Sequence, residues 1–316
     1  MDRALIIFQA LAEPTRLRIL RLLREMELSV GELAQVLGQS QPRVSRHVKV
    51  LAEAELVVRR KEGSWVFLAL GAEKDLQPIF SALDHWHPPE SEDEDDLGRA
   101  DRQRLQAVRN VRMGAAEDWF EVHAAEWDAI RSLHVSESEV EAGIRHIIGD
   151  APIGSLVDIG TGTGRMLELL AGQCQHALGF DRSPSMLRLA RAKLEHAQTA
   201  SGEKINLRQG NFYALPIAEN ATDLAIIHQA LRYAQHPAAV IIEAARILTP
   251  DGKLLVVDFA SHQREELRMR DAHVYLGFSD QQMKDWFHSA GLDLVSTQAL
   301  AGELTVKMWL GQLQSK

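Results

Sequence analysis

In the stretch LAEPTRLRILRLLREMELSVGELAQVLGQSQPRVSRHVKVLAEAELVVRRKEGSWVFLAL, apolar residues first recur at helical spacing, with Leu17, Ile19, Leu20 and Leu23 on one core-facing helix. A second short helix, GELAQVLG, ends at Gly38, a residue suited to the left-handed turn that closes a helix. Ser40 is placed to cap the next helix, and Pro42 falls in its first turn, where a missing N–H is harmless. On that helix Val44, Val48 and Leu51 form the buried stripe, which puts Arg46, Lys49 and Glu53 opposite, with Arg43 and Ser45 flanking. The period then changes. LVVRRKEGSWVFLAL predicts a β-hairpin with Glu62-Gly63 in its turn, and 72–87 predict one more helix.

HPPESEDEDDLG places two prolines before six acids between Glu90 and Asp96, the composition of a solvated linker. Helical spacing returns from Arg99 to about Ile148. From Ser155 onward short β-rich runs alternate with helical ones: SLVDI, HALGF, INLRQ, TDLAIIH, KLLVVDF, LDLVST and ELTVKMWL. That alternation predicts a mostly parallel sheet covered on both faces. The expected organisation is two domains, an α+β unit at 1–87 and an α/β unit at 151–316, separated by an acidic linker at 88–98 and a helical connector at 99–150. No internal repeat interrupts this order.

Composition adds limits. The 316 residues leave room for two domains, and 46% apolar with 25% charged residues is ordinary for a soluble globular protein. No uninterrupted apolar segment approaches the roughly 18 residues of a membrane span, and ALIIFQALA lacks a basic leader, so a cytoplasmic protein is expected. Cys174 is the single cysteine, which excludes an intrachain disulfide and thiol-rich metal chemistry. Residues 1–70 hold 11 Lys and Arg against 8 Asp and Glu, a net of +3, whereas the remainder carries −12. Only the N-terminal part can approach a polyanion without net repulsion.

Two short helices joined by a glycine turn, the second exposing Arg, Ser and Lys, make a helix-turn-helix, and the hairpin supplies a basic wing. Arg43 or Arg46 can pair with a guanine edge; Gln39, Ser40, Gln41 and Ser45 can reach other base edges; Lys49, Arg59, Arg60 and Lys61 can neutralise phosphates. LAEPTRLRILRLL, SQPRVSRHVKVL and the EGSWVF hairpin resemble the ArsR/SmtB winged-helix repressors over about residues 4–70. The resemblance implies a homodimer on a palindromic double-stranded operator. Many metal-sensing members read ELCVCE where this chain reads ELSVGE, so Ser29 and Gly31 stand in place of thiolates and no metal is expected there. In Asp84-His85-Trp86-His87 the two histidines would point about 200° apart on one helix, a poor geometry for one ion; a dimer-interface or solvated role is expected.

In LVDIGTGTGRMLELL, Gly160, Gly162 and Gly164 lie between a strand and a helix, so the backbone can approach a ligand where side chains would collide. The dinucleotide fingerprint wants glycine at the sixth position, where Arg165 stands, which disfavours NAD. Asp158 precedes the loop. Asp181 ends the next strand at about the 20-residue separation of an acid that grips ribose hydroxyls. Asn211 can pair with an adenine edge and Phe212 can lie against its face. Together VDIGTGTG, GFDRSPSMLRLAR, GNFYALP and ILTPDGKLLVVDF are similar to the class I S-adenosylmethionine-dependent methyltransferases, over about residues 115–310. The resemblance implies a Rossmann-like seven-stranded sheet with its final strand antiparallel and a coenzyme set of Asp158, Gly160, Gly162, Gly164, Asp181, Arg182, Asn211, Phe212 and His228. The family often has Asp where this chain has Asn211. Trp119, Phe120 and Trp127 resemble a lid over the coenzyme, though each singly also reads as a core aromatic.

Some methyltransferase subclasses are excluded. There is no Pro-Cys nucleophile for cytosine chemistry; IIHQAL replaces an Asn-Pro-Pro-Tyr type motif; arsenic methylation uses several cysteines. His228, His273 and Tyr275 are candidate catalytic groups, though each reads more readily as a packing or hydrogen-bonding residue. Two readings stay open: a repressor whose methyltransferase-like domain binds S-adenosylmethionine or S-adenosylhomocysteine and sets operator affinity, with methionine and methyl-cycle genes as expected targets, or an active small-molecule methyltransferase with an autoregulatory DNA-binding domain.

Overall fold

In the computed structural model, which describes residues 3–62, 65–86, 96–127, 130 and 135–314, helix α1 (Arg3–Leu11) is followed by α2 (Pro14–Glu25). Glu13 starts α2 by accepting the Arg16 N–H at 2.9 Å, and Pro14 takes the first position, where no donor is needed. Ile19, Leu20, Leu22 and Leu23 are buried, and Leu17 is partly so. The chain divides into two compact units, 1–114 and 115–316.

In the first unit β1 (Leu28–Ser29) leads into α3 (Val30–Leu37), which begins in a capping box: Ser29 Oγ accepts the Glu32 N–H at 3.2 Å and Glu32 accepts the Ser29 N–H at 2.8 Å. Gly38 closes α3 at φ 64°. In α4 (Gln41–Glu53) Val44, Val48 and Leu51 are completely buried. Ser40 stands at the cap position of α4, but its hydroxyl makes no capping bond, which corrects the expectation from sequence. The Ser40 backbone carbonyl accepts the first bonds of the helix, from Arg43 N at 3.0 Å and Val44 N at 3.1 Å. β2 (Val57–Glu62) and β3 (Trp65–Leu70) pair antiparallel, and β1 adds to β3, giving the order β1-β3-β2. The hairpin turn at 63–64 lies outside the described residues.

Helix α5 (Glu73–Trp86) follows, and then α6 (Asp96–His123). Most of the expected linker, 88–95, lies outside the described residues, while 96–98 open α6, where Asp96 sits favourably at the positive end of the helix and pairs with Arg99. Leu105 and Val108 of α6 enter the core of the first unit. Asp101, 4% exposed, binds both nitrogens of Arg18 at 2.6 Å and Arg104 at 2.8 Å. Arg104 Nε and Arg18 in turn donate to the carbonyls of Val36 and Leu37, which end α3.

The second unit contains α7 (Glu137–Ile148), β4 (Ile153–Ile159), α8 (Arg165–Leu170), β5 (Cys174–Asp181), α9 (Pro184–Lys193), β6 (Asn206–Gln209), β7 (Thr222–His228), α10 (Pro237–Ile247), β8 (Leu248–Phe259), α11 (Glu266–Arg270), α12 (Asp280–Ser289), β9 (Leu292–Leu300) and β10 (Val306–Leu313). Strand order is β6-β5-β4-β7-β8-β10-β9; the first five are parallel and β10 is antiparallel to both neighbours. This is the Rossmann-like methyltransferase fold. Period-2 alternation sorts the side chains between the two faces: Leu156, Leu224, Ile226, Leu255 and Val257 share one core, Val157, Ile159, Ala225, Ile227, Leu254 and Val256 the other. Strand β8 begins five residues before KLLVVDF, because Leu248 already pairs with Thr222 ahead of an irregularity in the β7–β8 register. Chain order reverses at β4, with β5 on one side and β7 on the other, and such a switch point opens a crevice beyond the strand ends.

Beyond the end of β7 a 3₁₀ turn, Leu231–Tyr233, carries Arg232 into the interior. Its guanidinium meets Asp258 of β8 at 2.7 Å with both side chains almost fully buried, donates to Gln229 Oε1 at 3.0 Å, and stacks 4.2 Å from the Phe259 ring. Asp258 also accepts the backbone N–H groups of Arg232 and Phe259. Asp258→Ala would leave a buried guanidinium without its carboxylate, so we expect it to lower the stability of the second unit by about 3–5 kcal/mol in urea unfolding.

Candidate functional site

The loop after β4 bends through three glycines with positive φ, 76° at Gly160, 53° at Gly162 and 80° at Gly164, a conformation other residues adopt only with strain. Space enforces the same choice. A Cβ at Gly160 would come within 2.7 Å of the Ala230 methyl group, and one at Gly164 within 2.7 Å of Leu194 Cδ1. The Gly160 and Thr161 N–H groups both donate to the Phe180 carbonyl at 2.8 Å, which ties the loop to β5. Asp158, 1% exposed, lies beneath the loop and accepts the Thr161 hydroxyl at 2.6 Å.

Asp181, half-buried at the end of β5, accepts the Gly162 N–H on Oδ2 and the Ser183 N–H on Oδ1, each at 2.8 Å. The Arg182 backbone N–H adds to these, so three backbone donors converge on this carboxylate. Burial pushes this carboxyl above the usual aspartate range, and the backbone donors oppose that shift only in part. Arg182 beside it is exposed. Asn211 and Phe212 follow β6. The Asn211 side-chain oxygen accepts the Tyr213 N–H at 3.1 Å, which leaves its amide donors for recognition, and Phe212 packs edge-on against Tyr213 at 4.8 Å.

Aromatic residues cover the loop. Trp127, 6% exposed, brings Nε1 to 3.3 Å from where a Gly162 Cβ would stand; its ring lies 6.0 Å from Trp119 and 6.3 Å from Tyr233. Trp119 donates its indole N–H to the Arg270 carbonyl at 2.6 Å and stacks on His123. The side chain of Phe120 lies outside the described residues. The buried His273 contacts Tyr233 edge-on at 5.4 Å, and the Tyr275 hydroxyl donates to the Gln235 carbonyl at 3.4 Å; His228, also buried, ends β7. The Arg232 carbonyl holds the backbone of Val274 and Tyr275. Gln229 and Ala272 flank this region with positive φ of 52° and 53°, a strain that clusters at binding sites. Sequence reading missed Arg232, Tyr233 and Asp258. A lone acid inside the apolar run LLVVDF was the available signal, since a buried charge needs a partner.

In the first unit Gln41, Arg43, Arg46 and Lys49 of α4 are exposed on the side opposite Val44, Val48 and Leu51, while Ser45 is half-buried and Ser40 exposed. Lys49 lies 3.8 Å from Glu53, and Gln39, half-buried, reaches Thr15. Arg59 is exposed on β2; the side chains of Arg60 and Lys61 lie outside the described residues. Among the described residues no group of three or more His, Cys, Asp or Glu is placed to hold a metal. Asp84 pairs with Arg24 at 2.7 Å. Cys174 is buried, and desolvation pushes its thiol up to about 12, so it is unreactive near neutral pH. No helix among the described residues is long and apolar enough to cross a membrane.

Two family models match this chain: the bacterial regulatory protein, arsR family, at residues 13–58, and a methyltransferase domain at residues 157–256. The arsenic resistance transcriptional regulator of Pseudomonas putida is 38% identical over 93 residues, covering 27% of this chain and 73% of that protein. A malonyl-acyl-carrier-protein O-methyltransferase of Methylococcus capsulatus is 33% identical over 154 residues, 48% of this chain; the chain spans 53% of that enzyme's length. Among solved structures, a chain from the complex of the Haloferax volcanii Trm112 methyltransferase activator with its candidate methyltransferase superposes at TM-score 0.53 with 19% identity, covering 64% of this chain and 98% of that one. Through its N-terminal unit, the chain belongs to the arsR family of bacterial regulatory proteins, and it joins to that DNA-binding domain a methyltransferase domain.

Proposed function

We propose that the protein is a transcriptional regulator, acting as a dimeric repressor, whose methyltransferase domain binds S-adenosylmethionine or S-adenosylhomocysteine and thereby sets operator affinity. Gly160, Gly162 and Gly164 would receive the methionyl end, Asp158 and Thr161 would brace the loop, Asp181 with Arg182 would hold the ribose, and Asn211 with Phe212 would line the adenine pocket. His228 would border the same pocket. Bound coenzyme supplies an activated methyl group and, as a signal, its own concentration. On the DNA side Gln39, Ser40, Gln41, Arg43, Ser45 and Arg46 would face bases, while Lys49, Arg59, Arg60 and Lys61 would face phosphates.

One observation carries the coupling. Helix α6 contributes Asp101, Leu105 and Val108 to the first unit, where Arg104 and Arg18 grip the end of α3, and it contributes Trp119 to the aromatic cluster of the second. An element that belongs to both units is where a ligand's differential contacts can bias the helix-turn-helix. The position of a thiolate ligand in metal-sensing relatives is meanwhile spent on the Ser29 helix cap, which leaves the input to come from elsewhere. Methionine and methyl-cycle genes would be the targets, because the ligand reports that metabolism.

Operator DNA selected by the protein from a random pool, titrated with and without each coenzyme, should show an affinity shift of about 5- to 150-fold. Equal affinity at saturating coenzyme would sink the regulatory reading. Asp181→Ala should weaken coenzyme binding by about 2–4 kcal/mol, the loss of two charge-assisted hydrogen bonds. The ionised carboxylate is the form that accepts ribose hydroxyls, so wild-type affinity should be complete above its raised pKa and fall as pH drops through it, while Asp181→Asn should titrate flat. The linked stability has the opposite sign: the folded state holds that proton more tightly than the unfolded chain, so free protein loses stability as pH rises through the same pKa.

A second reading, active methyl transfer to a small molecule, is favoured by the intact glycine loop and Asp181. Displacement at the methyl group needs mainly alignment, with His228, His273 or Tyr275 available to accept a proton. Labelled coenzyme incubated with a broad acceptor panel should then yield methylated product; background counts throughout would remove this reading.

A further inference from the structure

Helix α3 ends in a turn whose carbonyls find partners from two sources. The last four carbonyls of a helix have no donor within it. Here the Gln39 N–H donates to the Ala34 carbonyl at 3.0 Å and the Gly38 N–H to the Gln35 carbonyl at 3.2 Å, the return that a left-handed glycine permits. The carbonyls of Val36 and Leu37 are taken from elsewhere in the chain, by Arg104 Nε of α6 and by Arg18 of α2, the latter at 3.3 Å. Asp101, also on α6, holds Arg18 at 2.6 Å and Arg104 at 2.8 Å.

Charge explains these residue types. Two guanidiniums against one carboxylate leave a single positive charge, and it faces the negative end of α3, where a cation is favoured. The side chains of Asp101 and Arg18 are 6% and 17% exposed, so salt screens their attraction only weakly.

The held end leads directly into the turn Gly38-Gln39-Ser40 and then into α4. That helix starts without a side-chain cap of its own, since the Ser40 hydroxyl makes no capping bond. Its start is set by the turn before it, which Arg18 anchors at Leu37 and the Gln39 amide ties to Thr15 at 3.4 Å.

We propose that Asp101 is a positioning residue for operator binding: by aiming Arg18 and Arg104 at the end of α3, it fixes the turn that sets the angle of α4. The role rests on the reading of α4 as the helix that meets DNA, not on any coenzyme, and it names the contact through which α6 acts. Loosening that contact frees the turn and leaves fewer molecules with α4 ready to bind.

The test reads operator affinity and local opening together, on coenzyme-free full-length protein and DNA that the wild type selects from a random pool. Asp101→Ala should weaken binding about 10- to 100-fold, as expected when the binding-competent arrangement falls to about 1–10% of molecules. Hydrogen exchange should quicken at the Gly38 and Gln39 amides while Ile19 to Leu23 of α2 stay protected, a pattern that general loss of stability does not give. Asp101→Glu keeps a carboxylate for both guanidiniums and should recover most of the affinity. Arg109→Ala is the control: it removes the 2.9 Å pair between α6 and Glu25 of α2 without touching α3, and should stay within about twofold of wild type. Should Asp101→Ala fail to fold, Arg104→Met, at a partly exposed position, decides by the same two readings. Unchanged affinity, or protection lost evenly across the unit, overturns the role of Asp101 and leaves the DNA reading standing; a wild type that selects no DNA overturns both.

Discussion

One hydrogen bond organises the second unit. The Gly162 N–H, pointed outward by a backbone that only glycine adopts without strain, donates to the Asp181 carboxylate. It joins the turn after β4 to the end of β5 at the place where the sheet reverses its order. Around it the Phe180 carbonyl takes two further loop N–H groups, Asp158 holds Thr161 from below, and Ser183 closes on the other carboxylate oxygen before capping α9. These bonds hold the loop and the end of β5 together from within the chain.

Beyond the end of β7 a different device holds the chain. Arg232 carries a buried charge matched by Asp258, and through its carbonyl it fixes the segment bearing His273 and Tyr275. Residues flanking this knot adopt backbone conformations unusual for non-glycine side chains. Both places use a carboxylate to gather loop backbone, and the one at Asp258 is closed by an internal cation.

The sequence made legible whatever repeats with a short period or depends on neighbours. The buried stripe of α4, the wing, the glycine loop and the seven strands all follow from spacing within a few residues, and the place of Asp181 from its distance of about 20 residues behind the loop. Pairings across the chain were not legible: Arg232 and Asp258 are 26 residues apart, and nothing local to either names the other. Two-residue β1 is too short to show alternation, and β8 starts early because Thr222 is available to pair with Leu248. The Ser40 expectation failed although its backbone angles nearly match those of Ser29: Glu32 completes a capping box with Ser29 from the third helical position, where α4 has Arg43.

Ser29 shows what such a local choice commits a side chain to. Its hydroxyl, 2% exposed, is committed to starting α3, the first helix of the DNA-binding pair. A cysteine there would offer a metal a ligand only by releasing that helix end, at a typical loss of about 1 kcal/mol. The two uses of the position compete for one side chain. A ligand at this position would have to loosen the first helix of the DNA-binding pair, whereas a change elsewhere in the chain leaves that helix end intact.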